Sequence, residues 1–268
     1  VVEICIIWCI KLHINYIGSI MAISPNSIIH FTDNKEYLKS ILKEGFQPRL
    51  CTERCMYGDE KIELGVPMVS FCDIPISSIK DHIDKYGEYG IGLTKEWAQK
   101  NKLNPVLYVD SNSNLAKSII SDVERTLTQV NGNLDTWIVD DMEAADVIRY
   151  IKNYEADLER KSGITPNYRF SDEREWRFVP PIKKGELFLL AAGESKDQDE
   201  WDKEAKLLTK FKLTFEAKDI KYIIIKDDSE ISEIIQEIKD SLGKTNSFHD
   251  IERLMTRILT TEQINTDI

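Results

Sequence analysis

Short apolar runs bounded by turn residues lie on both sides of residues 113–162, where the apolar positions follow a helical period. That succession predicts sheet packed against helices, with a helical insertion dividing two groups of strands. Residues 27–31 read as a strand, followed by Asp33 and Glu36 at capping-box spacing ahead of Leu38, Ile41 and Leu42. Gly45 closes that helix. A polar, cysteine-containing loop is predicted for residues 47–65, and Pro67-Met68-Val69-Ser70-Phe71 reads as a buried strand that Pro75 ends.

Further along, Ile79, His82, Ile83 and Tyr86 mark a short helix, which Gly87 and Gly90 break before a strand at residues 91–93. Thr94 suits the cap of a helix carrying Trp97, and residues 106–109 form another strand candidate. Leu115, Ile119, Ile120, Val123 and Leu127 predict one long helix, and Val147, Ile148, Ile151, Tyr154 and Leu158 a second. Strands are expected again at 176–179, 187–190, 213–215 and 222–225. The acidic pair Asp227 and Asp228 precedes an amphipathic helix marked by Ile231, Ile234, Ile235, Ile238 and Leu242. A tail helix from Asn246 is expected to fray after Thr260, with His249 facing solvent.

No repeat or Pro/Gly-rich linker divides the chain, and residues 194–206 read as a charged, exposed connection. The expectation is one α+β domain over residues 21–268, with mixed or antiparallel sheets flanked by helices and C-terminal helices at 229–268. Residues 1–20 read as an upstream extension outside the fold, with Met21-Ala22 as the natural start. Their uninterrupted apolar run, Ile4 to Ile10, is too short to span a membrane, and Glu3 stands where a secretory signal would carry basic residues.

Lys and Arg number 35 against 46 Asp and Glu, a formal charge of -11, which disfavours broad attraction to nucleic acid or anionic membrane and leaves a local basic patch open. The five cysteines, Cys5, Cys9, Cys51, Cys55 and Cys72, crowd into the first part of the chain, and reduced thiols in a cytoplasmic protein are the expectation. Cys51 and Cys55, with Cys72 and His82, include ligand types suited to zinc, but the spacing lacks a matching second pair and no metal site is assigned. P-loop, dinucleotide-binding, metalloprotease and nucleophile-elbow motifs are absent.

Three blocks carry candidate chemistry. His30-Phe31-Thr32 ends a strand with two polar groups at its mouth, although His30 equally suits local backbone pairing. In Ser70-Phe71-Cys72-Asp73-Ile74-Pro75, strand alternation puts Ser70 on one face and Phe71 on the other. In Asp172-Glu173-Arg174-Glu175-Trp176-Arg177-Phe178, an extended backbone aligns Glu173, Glu175 and Arg177. Such a row suits holding a ribose hydroxyl and stabilising positive charge at a sugar carbon. It equally suits a carboxylate-arginine pairing that pins a strand.

Taken in order, these blocks, with Tyr86-Gly87 and Gly90-Ile91-Gly92-Leu93-Thr94 between the second and third, resemble the AbiGi antitoxin-like family of abortive-infection systems. The resemblance implies phage defence and a partner of the AbiGii kind, a nucleotidyltransferase-like toxin. A more distant resemblance is to the ADP-ribosyltransferase fold. It implies NAD as co-substrate, with Glu175 holding a ribose 2′-hydroxyl and Glu173 orienting the acceptor as the catalytic pair. His30, Thr32, Ser70, Tyr86, Tyr89 and Arg177 would then form the ligand-binding set. The chain departs from the E-x-E transferase pattern, having His30 for the usual arginine and Ser70-Phe71-Cys72 for Ser-Thr-Ser, so a fold that binds without turnover stays equally open.

Overall fold

The computed structural model describes residues 25–129, 147–160, 163–181, 190–191 and 206–267. The upstream extension at 1–20, most of the strand expected at 187–190 and the connection at 194–206, except Lys206, lie outside these residues. Among the described residues, a nine-stranded mixed sheet organises the chain.

Its strands are β1 (Ser27–Thr32), β2 (Arg49–Tyr57), β3 (Glu60–Cys72), β4 (Tyr89–Thr94), β5 (Asn104–Pro105), β10 (Glu175–Phe178), β11 (Leu190–Ala191), β12 (Ile220–Ile225) and β13 (Ile258–Thr260). Across the sheet the order is β13-β12-β4-β1-β3-β10-β5, and β2 and β11 pair with β3. Only β12 and β13 are parallel within it. Two small sheets stand apart, parallel β6 (Leu107–Val109) with β7 (Ile151–Asn153), and antiparallel β8 (Glu155–Arg160) with β9 (Gly163–Arg169).

Alternation along β1 divides the core. Ile28 joins one apolar layer with Phe71, Ile91 and Ile223, which α1 (Lys35–Glu44), α3 (Lys95–Lys100), α5 (Ile231–Leu242) and α6 (Phe248–Met255) cover. Ile29 joins the other layer with Ile224, which α2 (Lys80–Tyr86) and α7 (Thr261–Asp267) cover. A third cluster lies beneath α4 (Asn114–Gln129), joining Ile120 to Met68, Cys55 and Ile151. Gly92 is required where β4 passes β12, because a Cβ there would sit 2.2 Å from the Tyr222 ring.

Several local expectations hold in detail. Thr94 Oγ1 accepts from the Trp97 N–H at 3.1 Å, Gly45 ends α1 at φ +83°, and His249 is exposed. Other expectations are corrected. Asn34, not Asp33, caps α1, its Oδ1 accepting from the Glu36 N–H at 2.8 Å.

Residues 47–65 are not a loop but form most of the β2–β3 hairpin. Gly58, at φ +57°, leads its two-residue turn. The polar residues that suggested a loop lie along both strands of this pair, and pairing supplies the missing backbone partners.

The second long helix of the insertion is likewise not found. Residues 151–153 pair with β6 and 155–160 with β9, so apolar positions that fit a helical period belong to two strands. Buried Ile151 and Asn153 flank Lys152 with a period of two. Residues 213–215 contribute one bridge, Leu213 to Phe46, and no strand. The tail does not fray after Thr260: residues 258–260 add β13 to the sheet edge, and Thr261 opens α7.

Candidate functional site

Register determines which candidates meet. Glu175 lies opposite Cys72 and Arg177 opposite Ser70, so all four project from one face where β10 pairs with β3. Ser70 Oγ donates to Glu175 Oε1 at 2.8 Å. Arg177 donates through Nε to the same oxygen at 2.6 Å and through Nη2 to Oε2 at 3.3 Å. Lys152, carried by β7, donates to Glu175 Oε2 at 2.7 Å and to Glu173 Oε2 at 3.2 Å.

Glu173 reaches this group from a tight turn, residues 170–173, and Arg174 just after it adopts a left-handed conformation at φ 46°. The Tyr86 hydroxyl, from α2, donates to Glu173 Oε1. Tyr168 is hydrogen-bonded to both Glu173 and Tyr86. Below, the Arg177 guanidinium also meets Glu53 at 2.9 Å and donates to the Arg149 carbonyl at 3.0 Å. The Glu175 N–H donates to Tyr108 Oη at 2.7 Å. The result is a buried ionic network of Glu53, Glu173, Glu175, Lys152 and Arg177, with Arg177 at 0% exposure and Glu175 at 3%.

Burial opposes the charge on Glu175, but Arg177 and Lys152 outweigh it and hold the carboxyl well below the usual carboxylate range. Burial likewise works against the charge on Lys152 and Arg177. The carboxylates, Glu175 foremost, prevail and raise both. Burial pushes the Cys51 and Cys55 thiols up to about 11 and raises Cys72 as well, so they are neutral and poor nucleophiles or ligands near neutral pH. Among the described residues, no group of three or more His, Cys, Asp or Glu side chains is placed to hold a metal ion.

The other sequence candidates do not join the network. His30 is one residue out of phase with Ser70 across β1 and β3, because Ile29 faces Cys72. Its ring therefore enters the opposite layer, 5.2 Å from Phe46 and 5.6 Å from Phe71, while its Nδ1 donates to the Ser70 carbonyl at 2.8 Å. Thr32 shares that side and lies opposite Tyr89, whose hydroxyl donates to Glu230 at 3.0 Å. Ser70, Tyr86, Glu173, Glu175 and Arg177 thus assemble, whereas His30, Thr32 and Tyr89 stand across the sheet.

Desolvation lowers the affinity of His30 for a proton, outweighing the Ser70 hydrogen bond. Its folded-state value lies below the unfolded one, so its contribution is complete above about pH 6.5 and is lost as pH falls through and below that point. Unfolding free energy should therefore decline by up to about 1.4 kcal/mol per pH unit on its account. Urea titrations from pH 7.5 to 5.5 should show a flatter slope for His30→Gln than for the parent chain. Equal slopes would remove His30 as a source.

Sequence reasoning missed Lys152, Glu53, Tyr108 and Tyr168. Lys152 lay within an apparent helix and Glu53 within an apparent loop. The usable signal for Lys152 was the apolar-charged-polar alternation at 151–153.

The family described as "Putative abortive phage resistance protein AbiGi, antitoxin" matches residues 44–226, more than half of the chain. That span contains Glu53, Ser70, Lys152, Glu173, Glu175 and Arg177, and excludes His30 and Thr32. "Abortive phage resistance protein AbiGi" of Lactococcus lactis subsp. cremoris is 28% identical over 261 residues, covering 89% of this chain and 97% of that protein. No solved structure matches this chain. Among the described residues no helix is long and apolar enough to cross a membrane. With the ionic network inside the matched span and similarity to the lactococcal protein along most of its length, the chain belongs to the AbiGi family.

Proposed function

We propose that this chain acts in abortive-infection phage defence as an antitoxin, restraining a partner toxin by binding it, and that the Glu175 network braces the binding fold without turning over a substrate. Support for the role comes from the antitoxin description of the family. Support for a bracing network comes from one observation above all. Each Glu175 carboxylate oxygen already accepts two hydrogen bonds, from Ser70 and Arg177 at Oε1 and from Lys152 and Arg177 at Oε2. A carboxylate offers about four acceptor positions, so a ribose hydroxyl would have to displace an existing donor.

In the alternative, an NAD-dependent ADP-ribosyltransferase, Glu175 would grip the ribose 2′-hydroxyl with His30 nearby. The opposite placement of His30 and the saturation of Glu175 weigh against it. Co-expression with a toxin of the AbiGii kind is expected to restore the growth that toxin arrests and to yield a co-purifying complex. Absence of both results would sink the antitoxin reading. Incubation with nicotinamide-labelled NAD should release no nicotinamide, and release by the parent chain that Glu175→Gln abolishes would replace bracing with catalysis.

A further inference from the structure

His82 is 6% exposed, yet among the described residues neither of its ring nitrogens has a hydrogen-bond partner. A neutral imidazole carries one donor and one acceptor, and leaving both unmet in the interior is costlier than placing an apolar residue there. Its surroundings are mainly aromatic and aliphatic. The ring stacks on Tyr86 at 5.8 Å and lies 6.3 Å from Phe31, within the layer that Ile79, Ile83 and Ile264 also fill.

The helix carrying it is short, seven residues, and is held by buried Ile83, by Lys80 Nζ donating to the Asn265 carbonyl at 3.1 Å and by Lys85 4.6 Å from the Tyr168 ring. α2 begins without a side-chain cap. Its link to the ionic network is the Tyr86 hydroxyl on Glu173. At its far end Gly87, at φ +117°, lies against the backbone of Thr32 and Asp33, where a Cβ would come within 2.4 Å of Asp33 Cα.

We propose that His82 is a proton-operated latch, whose neutral ring lets α2 lie against the sheet and whose protonated ring drives α2 off it. An imidazolium has two N–H donors and a full charge, which an aromatic stack without hydrogen-bond acceptors cannot solvate. The charged groups that act on it are Glu173 and Asp172 from the turn at 170–173, with Asp81 and Lys85 from α2 itself.

Glu173 is already engaged by Tyr86 and Lys152, so meeting the imidazolium means disturbing those bonds. β1 presents Phe31, and β3 and β12 present Cys72 and Tyr222, both neutral in this range because burial raises them. α7 presents Ile264, with Glu262 and Asp267 exposed. Burial lowers the proton affinity of His82 more than these acids raise it. The docked state is therefore complete above about pH 6.5 and is lost as pH falls below it.

This inference is independent of the antitoxin reading, because its test uses the isolated chain. Amide hydrogen exchange is measured from pH 7.5 to 5.0 and corrected for the intrinsic rate. Protection of residues 80–86 should fall by up to about tenfold per pH unit below pH 6.5, as one proton is taken up on opening. Amides of β1 and β4 should stay more strongly protected than those of α2 at every pH, because they open only when the whole fold does. His82→Phe, which retains the stack, and His82→Gln, which remains neutral, should each hold α2 protection constant across the range. Three results would overturn the latch: no pH-dependent loss in the parent chain, the same loss in either variant, or α2 protection equal to that of β1 and β4 at every pH.

Discussion

Arg177→Met is expected to lower the unfolding free energy by about 3–5 kcal/mol, the effect of breaking a buried ionic network from one side. The guanidinium is fully buried and binds Glu175 through two nitrogens, Glu53 through Nη2, and the Arg149 carbonyl. Methionine fills comparable volume but leaves both carboxylates short of a cation, and Lys152 is already divided between Glu175 and Glu173. Arg177→Lys should rescue little of the loss, since an ammonium cannot reproduce the planar fork.

Urea unfolding checks both variants, and a loss below about 1 kcal/mol for Arg177→Met would show that the network contributes little. Pairing Arg177→Met with Glu175→Leu should cost less than the sum of the single changes, because the second substitution removes a buried charge that the first left with Lys152 alone. The pH sign follows from the lowered Glu175 value. Its contribution is complete above the unfolded carboxyl value, about 4.3, and is lost as pH falls below it. Without Arg177 the folded value rises toward the unfolded one, so that loss should be smaller and finish at higher pH.

Phe46→Ala should destabilise by a similar amount, about 3–5 kcal/mol, for a different reason. Phe46 is 1% exposed at the end of α1, and its ring meets Phe71 at 5.1 Å, His30 at 5.2 Å, Phe215 at 5.5 Å and Trp97 at 5.9 Å. Alanine would leave a cavity bordered by four rings held in place by separate elements, which limits collapse into the gap. Loss should appear as a lower urea midpoint with an unchanged slope. A change smaller than about 1.5 kcal/mol would mean that the cluster repacks.

These two residues illustrate what was legible. Arg177 was visible as part of a charged strand, because alternation within one strand follows from backbone geometry. Phe46 was not singled out, since a single aromatic after a helix-ending glycine has no periodicity, and its importance comes from rings distant in sequence. Lys152 shows the converse difficulty. Apolar residues around it fit a helical period, but pairing of residues 151–153 with β6 made them a strand and directed the lysine at two carboxylates. Local pattern was outweighed by tertiary pairing.

The sequence by itself determined the α+β class, the helix that Gly45 ends, the strands around Ser70 and Trp176, the amphipathic helix after Asp227 and the ordered blocks that carry the family resemblance. All of these depend on short-range chemistry: side-chain period, caps and turn residues. Tertiary structure alone decided the composition of the site. Parity within β1 or β3 can be read from either segment, but their relative register cannot, and a slip of one residue transfers every side chain to the other face. Because Ile29 pairs with Cys72, His30 enters the aromatic layer while Ser70 turns to Glu175, and two sequence candidates separated by one strand pairing end on opposite sides of the sheet.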